Sequence, residues 1–332
     1  MDLDAYVAEH AGEWRRLEQL ARRRRLNAAE ADELIALYQR SATHLSVIRS
    51  RSPDPALLAR LSRIVLAGRS ALTGSSGGFS WKSVGRFCTV TFPLEAYRAR
   101  RWWAATGLAF VALSGAIIAY IATHPAAAAA FLDDGEVDQL VNSDFAGYYS
   151  TYLPQNFAFE VWTNNAWLAA RCLASGVLLL PVVYLLAGNA LNVGVVGGIM
   201  VGAGRSDVFF GLIMPHGLLE LTAVFVAAGA GLRIGWSWIA PGPLRSRGQA
   251  LAETARAGML VALGLVAVLF VAGLLEAFVT PSGLPTFLRV GAGAAVWLAF
   301  LGYVFVFGRR AERAGADTDL APELRDATVP TA

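Results

Sequence analysis

Pro215-His216-Gly217-Leu218-Leu219-Glu220 sits inside a run, residues 208–232, that is otherwise apolar and rich in small side chains. At about 1.5 Å of rise per residue, such a run is long enough to cross the hydrocarbon core of a bilayer as a helix. His216 and Glu220 are four residues apart, so they lie about 40° from each other on that helix and share one face. Ionisable groups within lipid are costly and turn toward a protein interior or a water-filled cavity. The pair is therefore the first candidate for a functional site, and the remaining spans are read as surrounding it.

Composition supports a membrane protein. Of 332 residues, 55% are hydrophobic and only 16% charged, and the charges concentrate at the two ends. A soluble domain of this length carries more charge and fewer unbroken apolar runs. The two cysteines, Cys88 and Cys172, are far apart, which argues against a disulfide framework or a cysteine metal site. Residues 1–25 are charged and lack an apolar core, so no cleavable signal peptide is expected.

Residues 1–75 read as a small cytoplasmic helical domain. Trp14, Leu17 and Leu20 recur at helical spacing, Asn27 with Glu30 fits a capping box, and Leu34, Leu37, Leu45 and Ile48 form the next stripe. Pro53 and Pro55 precede a third stripe through Leu61 and Ile64. The block Arg22 to Arg25 reads as a solvated helix face beside the membrane, and no nucleic-acid partner is expected. Residues 76–101 combine a glycine linker with an amphipathic helix, residues 79–92, expected to lie on the inner membrane surface and to end at Pro93.

The transmembrane bundle is expected over residues 102–308, followed by a disordered cytoplasmic tail, 309–332. The spans are read as 102–123, 166–187, 191–204, a fourth holding His216, then 257–279 and 289–307. No lysine or arginine occurs from 102 to 170, whereas Asp133, Asp134, Glu136, Asp138 and Asp144 crowd the loop after the first span. Positive residues favour the cytoplasmic side, which places that loop outside and the loop bearing Arg233, Arg245, Arg247 and Arg256 inside. Parity then requires six spans, with both termini cytoplasmic. The fold class expected is all-α: a polytopic helical membrane protein of about six spans, with a short glycine-rich third span. In that span Gly194, Gly198 and Gly202 are expected to permit close helix packing.

In this topology Asn164 and Asn165 sit at the outer mouth of the second span and Arg171 about two turns inside it. His216, Glu220 and Glu276 lie in the outer half, so the six residues are expected to form one intramembrane polar cluster. Arg171 would neutralise Glu220 or Glu276. Three roles are open for such a cluster: fixing helix register, carrying a proton or polar solute, and holding a metal. One imidazole and two carboxylates suit zinc, but the spacing is not the HExxH arrangement, and neither a metal nor a cofactor is expected. No nucleophile with a plausible base stands in a motif and no phosphate-binding glycine loop is present, so catalytic residues are expected to be absent and the protein is read as a non-enzyme.

Four membrane motifs in order carry a resemblance. They are Phe159-Glu160-Val161-Trp162-Thr163-Asn164-Asn165, Gly188-Asn189-Ala190-Leu191-Asn192-Val193-Gly194, Pro215-His216-Gly217-Leu218-Leu219-Glu220-Leu221 and Glu276-Ala277-Phe278-Val279-Thr280-Pro281. Together with Leu37-Tyr38-Gln39-Arg40 and Phe92-Pro93-Leu94, they resemble the stage II sporulation protein M family over nearly the whole chain. The resemblance implies a multi-pass protein of the bacterial plasma membrane. It implies a scaffold that assembles or localises cell-envelope partners, among them peptidoglycan-remodelling proteins, with the lipid bilayer as its other partner and a homo-oligomer compatible with that role. The alternative is a transporter or channel-like protein using the His/Glu cluster.

Overall fold

The computed structural model describes residues 3–23, 26–51, 54–72, 80–145 and 154–319, and the chain divides into two compact units, 1–81 and 82–332. Among the described residues every regular element is helical. The expected glycine linker, 73–78, the first residue of the expected amphipathic helix and the part of the expected tail from 320 onward lie outside the described residues.

The first unit is built from α1 (Leu3–Ala21), α2 (Ala28–Arg51) and α3 (Pro55–Leu72). Trp14, Leu17, Leu20, Leu34, Leu37, Ile48, Leu61 and Ile64 form its core, each at most 5% exposed. Asn27 and Glu30 close the capping box at the start of α2, with Glu30 N donating to Asn27 Oδ1 at 2.8 Å and Asn27 N to Glu30 Oε2 at 3.1 Å. Of the arginine block, Arg22 pairs with Glu18 at 2.5 Å and Arg23 with Glu30.

The second unit opens with α4 (Trp81–Arg86), a π-helical turn (Phe87–Thr91) and α5 (Phe92–Arg98). Residues 81–91 of this helical segment are exposed or half-buried. Pro93 does not end it but occupies the first turn of α5, where its missing N–H costs nothing. Phe92 through Tyr97 are all buried. Room for them comes from two glycines: a Cβ on Gly308 would meet Tyr97 Cβ at 2.5 Å, and Gly264 lies against the Phe92 ring.

After a break at Ala99 come α6 (Arg100–Thr123), α7 (Asp134–Gln139), α8 (Pro154–Ala174), α9 (Leu180–Gly202), α10 (Ser206–Ile239), α11 (Arg247–Leu274) and α12 (Thr286–Arg313). Five of these, α6 and α9 to α12 (α11 with the π turn that continues it to Val279), are long and apolar enough to cross a membrane. Leu108, Tyr184, Met259, Phe287 and Val306 are among the large apolar side chains that face outward, as lipid contact requires.

The second and third spans differ from the sequence reading. The chain turns at residues 175–179, inside the expected second span, so α8 ends at Ala174 and α9 is a full 23-residue helix rather than a short segment starting at 191. Residues 176–187 are apolar throughout, so no polarity marks the turn. The available signal was Pro181, at the first turn of α9, where proline favours a helix start. The turn is held by backbone approach, since a Cβ on Gly176 would lie 2.5 Å from Gly231 Cα.

Contacts fix the directions of the helices. Ser114 Oγ donates to Ala190 O at 3.2 Å, and Cβ atoms on Gly194 and Gly198 would each meet an isoleucine Cβ, of Ile117 and Ile121, at 2.7 Å. Gly202 lies against Ala122. The numbers rise together, so α6 and α9 run parallel with the glycine stripe as their seam. By the same reading α8 runs parallel to α10 (Cys172 on Gly231, Gly176 on Gly235), and α12 runs parallel to α10 (Gly211 on Thr286, Thr222 with Trp297). Helix α11 runs against α10, with Gly258 on Ile234 and Glu276 beside His216.

The expected disordered tail is a further correction. Helix α12 continues past 308 to Arg313, and residues 316–319 are tied back to the bundle. Arg98 donates to Ala316 O at 3.2 Å, Arg86 to Asp317 O at 3.3 Å, and Arg256 holds Asp319 through two bonds of 2.5 and 2.8 Å.

Candidate functional site

The site forms where α10, the end of α11 and the start of α12 meet. Pro215 stands inside α10, removing one backbone donor and opening the ladder locally. Gly293 of α12 fits against it, and a Cβ there would lie 2.7 Å from Pro215 Cα. One residue on, His216 turns inward with its side chain 7% exposed. Glu220 follows one turn later and is half-buried.

Facing them, α11 ends in a π-helical turn, Leu275–Val279. An inserted residue of this kind rotates the side chains that follow and is frequent at functional sites. It aims Glu276 at His216, with 3.7 Å between Nε2 and Oε1, and leaves the Glu276 side chain 5% exposed. Oxygen and nitrogen atoms of His216, Glu220 and Glu276 all come within 4.8 Å of one another. At 3.7 Å the His216–Glu276 contact is too long for a hydrogen bond. Glu276 Oε2 is buried with no hydrogen-bond partner among the described residues.

A second set of contacts orients the imidazole. Thr280, fully buried, donates its hydroxyl to Leu275 O at 3.3 Å, and the same oxygen lies 3.1 Å from His216 Nδ1. With the Thr280 hydroxyl donated to Leu275 O, its oxygen accepts from Nδ1–H, and in that tautomer Nε2 presents its lone pair toward the carboxylates. Arg289 donates from NH1 to Thr280 O at 2.5 Å and from NH2 to Thr286 Oγ1 at 3.1 Å, locking the loop between α11 and α12.

The other expected members of the cluster separate from it. Arg171 lies near the far end of α8, exposed, with its guanidinium 5.9 Å from the Trp167 ring centroid. Its neighbour Cys172 packs on Gly231, which lies fifteen residues beyond His216 on α10, about 22 Å along the axis. Arg171 therefore cannot neutralise Glu220 or Glu276. The expectation failed because α8 starts at Pro154 rather than near 166, which moves Arg171 from one end of the bundle to the other. Asn165 is half-buried on α8, about one turn from the level of Glu220 in the same register. The side chain of Asn164 lies outside the described residues.

A polar group at the opposite end of the bundle was not foreseen. Glu95, 2% exposed, receives Arg98 at 2.7 Å and Thr318 at 2.5 Å, with Arg233 at 3.8 Å. Between the two ends Leu219, Ala223, Val226, Ala227, Leu265 and Leu269 form a continuous buried apolar core.

Comparison with known proteins agrees with this architecture. The family model described as Stage II sporulation protein M matches residues 108–281, more than half of the chain and all three residues of the cluster. A second model, described as a domain of unknown function (DUF8413), matches residues 4–74. No curated protein and no solved structure matches the chain.

Proposed function

The chain belongs to the stage II sporulation protein M family, and on that premise we propose that it is a non-enzymatic scaffold of the bacterial plasma membrane that assembles or localises cell-envelope proteins. In this reading the bundle crosses the bilayer six times. Helix α8 makes the crossing that its hydropathy alone does not mark, both termini and the loop around Arg245 are cytoplasmic, and the acidic segment around α7 is outside. The alternating directions of α6 and α8 to α12, each running against the one before, support that count.

The observation that carries the scaffold reading over a transporter is the apolar core between the two polar ends. Six side chains, each at most 3% exposed, separate His216 and Glu276 from Glu95, which favours a sealed bundle over a polar path. A scaffold presents its partners with surfaces, and here these are the cytoplasmic helices α1 to α3 and the acidic outer segment.

The test pairs two measurements. In host cells lacking the gene, the envelope phenotype should be restored by Glu220→Gln and not by a chain with residues 125–145 replaced by a neutral linker. Proteoliposomes holding the chain should show no proton or solute flux. A flux abolished by Glu220→Gln would overturn the scaffold reading.

A further inference from the structure

His216, Glu220 and Glu276 bring two carboxylates and one imidazole nitrogen within 4.8 Å inside an apolar bundle. The geometry poses a charge problem. Two ionised carboxylates in low dielectric repel each other and the lone pair of Nε2. The cation at hand, Arg289, directs its NH1 and NH2 groups to Thr280 O and Thr286 Oγ1. A proton on each carboxyl would also remove the charge, but it would leave Glu276 Oε2 without a hydrogen-bond partner among the described residues, and at 3.7 Å it would not bridge Glu276 to His216.

We propose that these three residues bind one divalent transition-metal ion of the zinc class, which links α10 to the end of α11. An ion of charge +2 cancels both carboxylates, leaving a neutral site where charge is most expensive. Tetrahedral zinc holds nitrogen and oxygen ligands at about 2.0–2.2 Å, so neighbouring ligand atoms lie roughly 3.3 Å apart. The 3.7 Å between Nε2 and Oε1 is close to that separation, and the ligand atoms of all three residues lie within 4.8 Å of one another.

Two independent features point to the ion. The first is Glu276 Oε2, buried and without a hydrogen-bond partner among the described residues, an expensive orphan unless a ligand meets it. The second is the outer support of the imidazole. Thr280 Oγ1 lies 3.1 Å from Nδ1 and can accept its proton, and the nitrogen facing the carboxylates, Nε2, is then the one able to ligate. Glu220, the third ligand, is half-buried.

The chain contains a second set of the same residue types, which shares the first feature, since Glu13 Oε2 is also buried without a hydrogen-bond partner among the described residues, but lacks the second. His10, Glu13 and His44 also gather within 4.8 Å. There Trp14 Nε1–H donates to His44 Nδ1 at 3.2 Å, which leaves the proton of a neutral imidazole on Nε2, and Arg40 already pairs with Glu13 at 2.8 Å. That set serves as the internal control.

The experiment uses the full chain with a histidine-free tag, purified in detergent, stripped with a chelator, equilibrated with zinc chloride and desalted. Retained zinc is measured by elemental analysis, and affinity by competition with a chromophoric chelator. About one zinc per chain is expected, unchanged in His44→Ala and lost in Glu276→Gln. Thr280→Val should keep the fold and weaken zinc binding about 10- to 100-fold. Should Glu276→Gln fail to fold, Glu220→Gln, at the half-exposed ligand, gives the same reading. Wild-type chain that retains no zinc would overturn the proposal, as would zinc retention that is lost in His44→Ala or survives both glutamine variants.

Discussion

Replacing Gly293 by alanine tests whether the close approach of α12 to α10 supports the site. A Cβ at this position would lie 2.5 Å from Pro215 C and 2.7 Å from its Cα, all backbone atoms that cannot rotate aside. Carbon atoms in contact settle at about 3.5–4.0 Å, so the helices must part locally by roughly 1 Å. That displacement stretches the 2.9 Å bond from Trp297 Nε1 to Thr222 Oγ1 and shifts Arg289 against Thr280. Overpacking of this kind costs about 1–3 kcal/mol. The control is two residues away: Gly291, on the same helix, has nothing within 4 Å of its would-be Cβ. There alanine removes only the helix penalty of glycine and should stabilise by about 0.5–1 kcal/mol. Unfolding of both variants in detergent, followed by heat and by denaturant, gives the comparison. Equal effects of the two substitutions would refute the backbone contact and the helix register drawn from it.

Further outcomes follow from other parts of the chain. A single cysteine at Arg247 should react with an impermeant thiol reagent only after the membrane is permeabilised, and reaction in intact cells would refute the six-crossing orientation. Trp14→Ala, at 1% exposure in the first unit, should destabilise residues 1–81 by about 3–5 kcal/mol in urea unfolding. Burial, followed by the charge of His10, lowers the pKa of His44 below the ordinary 6.5, so the unfolded chain takes up the proton first. Stability of residues 1–81 should therefore fall as pH drops below about 6.5, less so in His44→Gln, as melting temperatures across that window would record. Arg256→Ala removes both bonds to Asp319 and should make the segment after Arg313 sensitive to protease, while the bundle stays resistant.

What the sequence disclosed, and what it hid, divides along physical lines. Periodicity identified the core of the first unit residue by residue, because amphipathic helices write their buried face at fixed spacing. The four-residue step from His216 to Glu220 was legible for the same reason. Charge parity brought Glu276 to the same end of the bundle, although nothing local to it says so. Turns between apolar helices are a different matter. The turn before α9 contains only serine, glycine, valine and leucine, so hydropathy passes through it unbroken, and the backbone sustains Leu179 at φ 59 there. Misplacing that one turn shortened α9 in the reading and carried Arg171 into the wrong half. The π turn at Glu276 and the hydroxyl of Thr280 were unreadable because they act through local backbone geometry rather than through periodicity.

The two ends of the bundle solve the cost of burying a carboxylate differently, and the difference separates their roles. Glu95 accepts hydrogen bonds from Arg98 and Thr318 and lies 3.8 Å from the Arg233 guanidinium, groups carried by three segments including the returning tail. Its charge is matched by cations already in the chain, so that end is complete without anything from outside and serves to fasten the tail to the helices. Glu276 is buried almost as deeply, but the group that faces it is an imidazole whose proton points the other way, toward Thr280. The second carboxylate, Glu220, adds charge of the same sign instead of cancelling it. A positive ion that joins two such carboxylates removes the cost of burying their charge. The first end is a structural clasp, whereas the second is arranged to receive a cation, and the sealed apolar core between them keeps the two functions independent.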